Sequence, residues 1–381
     1  MRPTGVHGRS RERGEADGKG TAPKERMFSR TCAPGHTVNN RVTVILQTRW
    51  RATKRESWAD IFIMSAFFIT ILSLFIIRIT LRGGIDMEIF RGAGVALVTP
   101  FHENGEINYN KLGELVEEQI AGHTDSIIAM GTTGEAATTT EKEHMDVIRF
   151  ICQQVNGRIP VIAGTGSNCT KTAIELSREA ESVGADGVLL VSPYYNKATQ
   201  EGLKRHFKAI ADSIRIPAIL YNVPSRTGIN IAPATIAELC RDVDNIVGVK
   251  EASGNFSAVA ELMNLTDGNI DVYSGNDDQI VPMLSLGGKG VISVLSNIAP
   301  RETHDICELF FNGDIEGSRR LQIRALPLIK ALFCEVNPIP VRAALNLMGK
   351  EIGEPRLPLT VMEAAHQEIL KREMVKFGLL P

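Results

Sequence analysis

The sequence predicts an α/β fold, a (β/α)8 TIM barrel with a C-terminal helical appendage. Three observations predict it. From Met87 onward, eight short apolar runs alternate with amphipathic segments of helical length. Several runs stop at a reactive polar residue and a turn, as strands do at the carboxyl face of a parallel barrel. The alternating stretch also has the usual size of such a barrel, about 250 residues.

In order, residues 1–56 are rich in Gly, Arg and Ser, with 13 basic and 5 acidic residues and no sustained apolar periodicity. They read as a disordered basic extension. The segment 57–86 holds an uncharged apolar run, Ile61 to Ile77, of 17 residues. That length is at the lower edge of what spans a bilayer, and the run starts too far into the chain for an ordinary signal peptide. Basic residues flank both sides, so the orientation rule gives only a weak cytoplasmic vote for the amino-terminal side. Two readings compete: a single-span anchor with a cytoplasmic catalytic domain, and a gene-start artefact with translation beginning at Met87. The sharp change of composition before Met87 favours the second and a cytoplasmic protein.

The expected strands are Gly94–Thr99, Ser126–Gly131, Val161–Gly164, Gly187–Val191, Ala218–Tyr221, Val247–Lys250, Asp271–Ser274 and Val291–Val294. Between them lie expected helices at Tyr109–Ala121, Glu141–Val155, Thr170–Val183, Gln200–Ile214, Pro233–Cys240, Asn255–Leu265 and Asp277–Leu286. Eight parallel strands with intervening helices close most naturally as a barrel over 87–299. Residues 300–381 hold about three more helical segments, more than closure requires. Strand alternation places Gly248 on the inward face with Lys250, and turns Val247 and Val249 toward the helices.

Composition limits the function. The chain is 43% hydrophobic and 23% charged with net charge −2, and residues 87–381 carry 27 basic against 37 acidic residues. That balance argues against a nucleic-acid binder. Cys32, Cys152, Cys169, Cys240, Cys307 and Cys334 are scattered, mostly in apolar helical contexts, and read as reduced core thiols. The eight histidines show no metal-ligand spacing, so no metal or other cofactor is expected.

The strand ends carry the chemistry. Ile246 to Val249 ends in Lys250, and Pro217 to Leu220 ends in Tyr221. A lysine closing a buried strand is desolvated, which disfavours its ammonium form and makes the amine a nucleophile. Taken singly, Lys250 is better read as a surface residue just past a strand; its neighbours shift that reading. Gly131-Thr132-Thr133-Gly134-Glu135 offers a tight turn with two hydroxyls, a carboxylate cradle or simply a turn. Arg226 has a fork suited to a carboxylate, or it caps a loop. Tyr194-Tyr195 suits packing or an interface. Gly287-Gly288-Lys289-Gly290 precedes a strand, at the wrong end of the barrel for a phosphate cradle. Together, the lysine, tyrosines, cradle and guanidinium describe Schiff-base carbon–carbon chemistry on keto acids.

Residues 87–381 resemble the dihydrodipicolinate synthase family of Schiff-base aldolases along their whole length. The matching motifs are Gly131-Thr-Thr-Gly-Glu135, Pro193-Tyr-Tyr-Asn196, Tyr221-Asn-Val-Pro-Ser-Arg-Thr-Gly228, Gly248-Val-Lys-Glu-Ala252, Gly290-Val-Ile-Ser-Val294 and Asn337-Pro-Ile-Pro-Val341. The resemblance implies that Lys250 forms the imine with pyruvate, and that Tyr221 moves protons through a relay completed by Thr132 and Tyr195. It implies that Thr133 and the backbone at Ile292 contact pyruvate and that Arg226 takes the carboxylate of aspartate semialdehyde. It further implies a homotetramer built as a dimer of tight dimers, with Tyr195 beside the partner's site, and a role in lysine and diaminopimelate biosynthesis. Lysine-inhibited members carry a histidine and a glutamate where this chain has Glu141 and Thr172, so weak or absent inhibition by lysine is expected. Two other readings remain at this stage. One is a related keto-acid aldolase such as N-acetylneuraminate lyase, against which Thr132-Thr133, Tyr195 and Arg226 argue. The other is a membrane-tethered, catalytically silent keto-acid sensor.

Overall fold

The structure, a computed structural model, describes residues 89–381, so the basic extension and the Ile61–Ile77 run lie outside the described residues. Among the described residues no helix is long and apolar enough to cross a membrane. The strands are β1 (Gly92–Ala96), β2 (Ser126–Ala129), β3 (Val161–Gly164), β4 (Gly187–Val191), β5 (Ala218–Asn222), β6 (Ile246–Glu251), β7 (Asp271–Ser274) and β8 (Gly290–Ser293). They pair in sequence order, all parallel, and β8 returns to β1 through Gly94↔Ile292 to close the barrel. The crossover helices are α1 (Tyr109–Ala121), α2 (Glu141–Val155), α3 (Thr170–Ser182), α4 (Gln200–Ala211), the short α5 (Pro224–Thr227), α6 (Pro233–Asp242), α7 (Phe256–Leu265), α8 (Ile280–Ser285) and α9 (Pro300–Phe311). Most expected boundaries agree to within one or two residues.

Local chemistry explains the ends. At α2, the Thr140 hydroxyl accepts from the Glu143 amide while the Glu143 carboxylate accepts from the Thr140 amide. This reciprocal cap satisfies two otherwise orphaned donors, and Asn156 in the left-handed region stops the helix. The expected helix Asp277–Leu286 is instead a 3-10 turn, Asp277–Gln279, followed by α8. The Asp277 carboxylate causes the break, because it turns away to accept from the amides of Val294 and Leu295 at the end of β8.

Two apolar layers form. Strand residues facing outward, such as Val95, Ile127, Val188, Leu220 and Val249, pack under the helices. Those facing inward, including Ala96, Ile128, Leu189, Ile219, Tyr221, Tyr273 and Ile292, fill the barrel. One expectation fails here. Register between β5 and β6 jumps from Ala218↔Ile246 to Ile219↔Gly248, leaving Val247 as the extra residue of a bulge. Val247 therefore packs against the inner layer, while Val249 faces the helices as expected. A Cβ on Gly248 would lie 2.3 Å from the Asp271 carbonyl, so only glycine lets β6 and β7 approach this closely. Beyond the bulge, Tyr221 stands opposite Lys250 and Asn222 opposite Glu251.

Four helices follow β8 where about three were expected. The first, α9, is the barrel's own eighth helix. The appendage is α10 (Ile315–Leu332), α11 (Ile339–Leu347) and α12 (Ala364–Phe377). The short turn Asn312–Asp314 hides the break in sequence, and the Asp314 side chain caps α10 by accepting from the Gly317 amide at 2.8 Å. The thiols also divide differently from the expectation. Cys307 is buried and Cys152 and Cys240 partly so, but Cys169 and Cys334 are exposed. Cys169 caps α3 and Cys334 lies just past α10, beyond the reach of either helix's buried stripe. All five described cysteines are free.

A buried ion pair ties the appendage to the barrel. Arg342 of α11 lies 2.9 Å from Glu135 in the turn after β2, and both side chains are almost wholly buried. Arg342 also donates to the carbonyls of Thr99 and Ile352, at 2.6 and 2.9 Å. Burial lowers the Arg342 pKa to about 10 against the pull of Glu135, and burial raises that of Glu135 despite the arginine. Removing either partner strands a buried charge, so the turn carrying Thr132 and Thr133 is held from both sides.

Candidate active site

A cavity of about 170 Å³ opens at the carboxyl ends of the strands. Thr132, Thr133, Tyr221, Arg226 and Lys250 line it, together with Gly275, Asn276, Val294, Phe333 and Asn337. Five of the seven residues singled out from sequence thus meet in one place, although they come from the turn after β2, from β5, α5 and β6.

Lys250 is 7% exposed and points into the barrel. A Cβ on Gly275 would sit 3.2 Å from the lysine Cε, so the glycine keeps open the space the side chain occupies. Burial lowers the Lys250 pKa to about 7; Asp277 opposes this and the Arg226 charge adds to it. A far larger share of the amine is then neutral at pH 7 than in an ordinary lysine. Its nitrogen lies 4.4 Å from the centroid of the Tyr221 ring. The Tyr221 phenol is raised above its ordinary value, first by burial and then by Glu251, with Arg226 and a hydrogen bond from the Thr132 side chain acting the other way. A phenol so held stays protonated at neutral pH and can give its proton to a developing alkoxide.

Thr133 and Arg226 are joined through Asn337. Its side-chain amide donates to the Thr133 hydroxyl at 3.0 Å, and its carbonyl accepts from Arg226 Nη2 at 3.2 Å. Sequence reasoning noted the Asn337-Pro motif without giving the side chain a place in the site. Nothing local signals it, because Asn337 sits 204 positions from Thr133 and reaches the site only through the appendage.

Two expected site residues are not among those lining the cavity, and for Ile292 the expectation concerns its backbone. Ile292 is in β8 with its side chain in the inner layer, and Val294 is the residue from this stretch that lines the cavity. Tyr195 is 91% exposed on the loop after β4, with φ +70, and does not line the cavity of its own chain. Spacing also missed one group of metal-ligand type, Glu335, Glu363 and His366, whose ligand atoms lie within 4.8 Å of one another. Glu335 already accepts there from His366 Nδ1 and the Glu363 amide, and none of the three lines the cavity.

The sequence profile of the Dihydrodipicolinate synthetase family matches residues 89–376, nearly the whole described chain. The chain belongs to this family. A 4-hydroxy-tetrahydrodipicolinate synthase of Lachnoclostridium phytofermentans is 63% identical over 294 residues, covering 77% of this chain and 100% of the relative. Among solved structures, the dihydrodipicolinate synthase of Thermotoga maritima is 44% identical with a TM-score of 0.75, covering 77% of this chain and 100% of that one. The Acinetobacter baumannii synthase, solved in complex with pyruvate, is 44% identical with a TM-score of 0.74, covering 76% and 99%. Within a dihydrodipicolinate synthetase barrel, one small cavity thus brings together a buried amine of lowered pKa, a phenol of raised pKa, two hydroxyls and a guanidinium.

Proposed function

We propose that this chain condenses pyruvate with L-aspartate 4-semialdehyde to give 4-hydroxy-tetrahydrodipicolinate, the first committed step of lysine and diaminopimelate biosynthesis. The observation that carries the chemistry is the Lys250 amine buried opposite Tyr221 at the carboxyl end of the barrel, where burial lowers its pKa. The synthase names of the relatives support the choice of substrates.

The neutral Lys250 amine adds to the pyruvate ketone carbon, and Tyr221 gives a proton to the departing oxygen, which leaves as water. The resulting iminium withdraws electrons, so a methyl C–H bond breaks toward a base and an enamine forms. The enamine carbon attacks the aldehyde carbon of the second substrate, whose oxygen takes a proton through Tyr221 and Thr132. The amine of that substrate then adds to the iminium carbon, closes the ring and releases Lys250 as the free amine. Thr133 and the backbone at Ile292 hold pyruvate, and Arg226 pairs with the carboxylate of aspartate semialdehyde. No step calls for a cofactor.

Tyr195, exposed in its own chain, completes the proton relay from a second copy in a tight dimer, and two such dimers make a homotetramer. The site of action is the cytoplasm. The test is steady-state turnover of pyruvate with aspartate semialdehyde, and separately with N-acetylmannosamine. Turnover with the first alone supports the proposal, whereas turnover with the second would move the chain to the lyase branch of the same chemistry.

A further inference from the structure

The residues that follow Tyr221 and Lys250 are themselves joined. Asn222 ends β5 and Glu251 ends β6, both are buried, and they face each other one register step beyond the Tyr221↔Lys250 pair. Asn222 Nδ2 donates to Glu251 Oε2 at 2.9 Å and, with its other hydrogen, to Asn230 Oδ1 at 2.9 Å. Asn222 Oδ1 accepts from the Ile231 amide at 3.0 Å, which fixes which way the side-chain amide points. Glu251 Oε1 accepts from the Ser253 amide at 2.6 Å. The main chain is tied at the same level, with the Ala252 amide donating to the Asn222 carbonyl and the Gly275 amide to that of Glu251.

We propose that Asn222 and Glu251 form a positioning latch that holds Lys250 against Tyr221. Neither residue lines the cavity, so they act through the pair they flank. This rests on the reading of Lys250 and Tyr221 as the reacting pair. Each of those two residues leaves its strand on the opposite side from its latch neighbour, so the end of each strand is fixed from behind while its reactive side chain faces the cavity. Displacement of about 1 Å between reacting groups costs on the order of a hundredfold in rate, which is the precision such a latch supplies.

A pair of apolar residues could hold the register as well, yet the buried partner here is a carboxylate. From the far side of the strand pair its charge still acts on the Tyr221 phenol and favours the protonated form, more weakly than burial does. The other groups acting on that phenol are Arg226 from α5, the Thr132 hydroxyl after β2, and Lys250 over the ring, of which Arg226 and Thr132 favour the phenolate. Glu251 thus opposes Arg226 and extends the pH range over which Tyr221 carries its proton.

The test uses the purified full chain, with borohydride trapping of the pyruvate adduct and pH profiles of kcat for wild type, E251Q, E251D and N222S. Trapping of wild type at Lys250 comes first, because its failure overturns the underlying reading and not the latch alone. N222S and E251D each break the direct bond while the charge remains. Both are expected to lower kcat roughly tenfold, with KM for pyruvate within about twofold and the alkaline limb of the profile unmoved. E251Q is expected to lose a similar factor and, in addition, to shift that limb to lower pH. Wild-type kcat in N222S and E251D would overturn the latch. An unmoved limb in E251Q would overturn the role of the charge. Should E251Q fail to fold, N222S and E251D still decide the latch, and E251A, which also removes the charge, takes its place in the test of the limb.

Discussion

Lys250 and Tyr221 stand directly opposite each other on neighbouring parallel strands, with the lysine nitrogen 4.4 Å from the centre of the phenol ring. A bulge at Val247 sets that pairing. Burial of the pair favours the neutral amine, while the phenol hydroxyl remains available as an acid.

Burying an amine carries a cost in stability that can be measured. The Lys250 pKa is about 7 in the folded chain against an ordinary 10.5. Between these values the unfolded chain binds more protons, so stability rises with pH; below the folded value the cost is present in full. Lys250→Met is therefore expected to stabilise the fold by a few kcal/mol near pH 7, with a gain that shrinks toward pH 10. Urea unfolding of both proteins across that range checks it, and equal stability throughout would contradict it.

Tyr221→Phe keeps the ring over the lysine and removes only the acid. Turnover is expected to fall on the order of a hundredfold, with the melting temperature nearly unchanged. The rate of pyruvate trapping by borohydride should fall with it. A full rate would mean that protons reach the reacting oxygen by another route.

Much of this was legible from sequence because it is local. Each strand end sits beside its own turn, and a lysine or tyrosine closing an apolar run is visible in a few residues. The β6 bulge was not legible, because Val247 and Val249 are equally apolar and only the approach of β7 to Gly248 shows which one breaks the alternation. Nor was the Asn337 side chain, which is carried to Thr133 by an appendage that the long-range Glu135–Arg342 ion pair anchors. The exposure of Tyr195 belongs to the same class, since the partner proposed to cover it is a second copy of the chain.

Arg226→Ala tests how the two substrates divide the cavity. Its guanidinium lines the cavity and is held by the Asn337 carbonyl. Arg226→Ala is expected to raise KM for aspartate semialdehyde more than about tenfold, while trapping of pyruvate at Lys250 persists. Loss of pyruvate trapping instead would place Arg226 at the first substrate.

Tyr195 tests the shared site. Neither Tyr195→Ala nor Lys250→Ala alone should be active. Mixed and reassembled, they should recover part of the wild-type rate, because a Tyr195→Ala chain keeps its lysine and receives a tyrosine from the other copy. No recovery in hybrids verified by mass would mean that Tyr195 acts within its own chain or not at all.

The central claim is a covalent bond between pyruvate and Lys250. The direct measurement is to reduce the full chain with borohydride in the presence of pyruvate, then determine intact mass and map the modified peptide. The expected result is one pyruvate-derived adduct per chain, located on Lys250 and abolished in Lys250→Met. A folded protein that gains no adduct, or carries it on another lysine, would contradict the account.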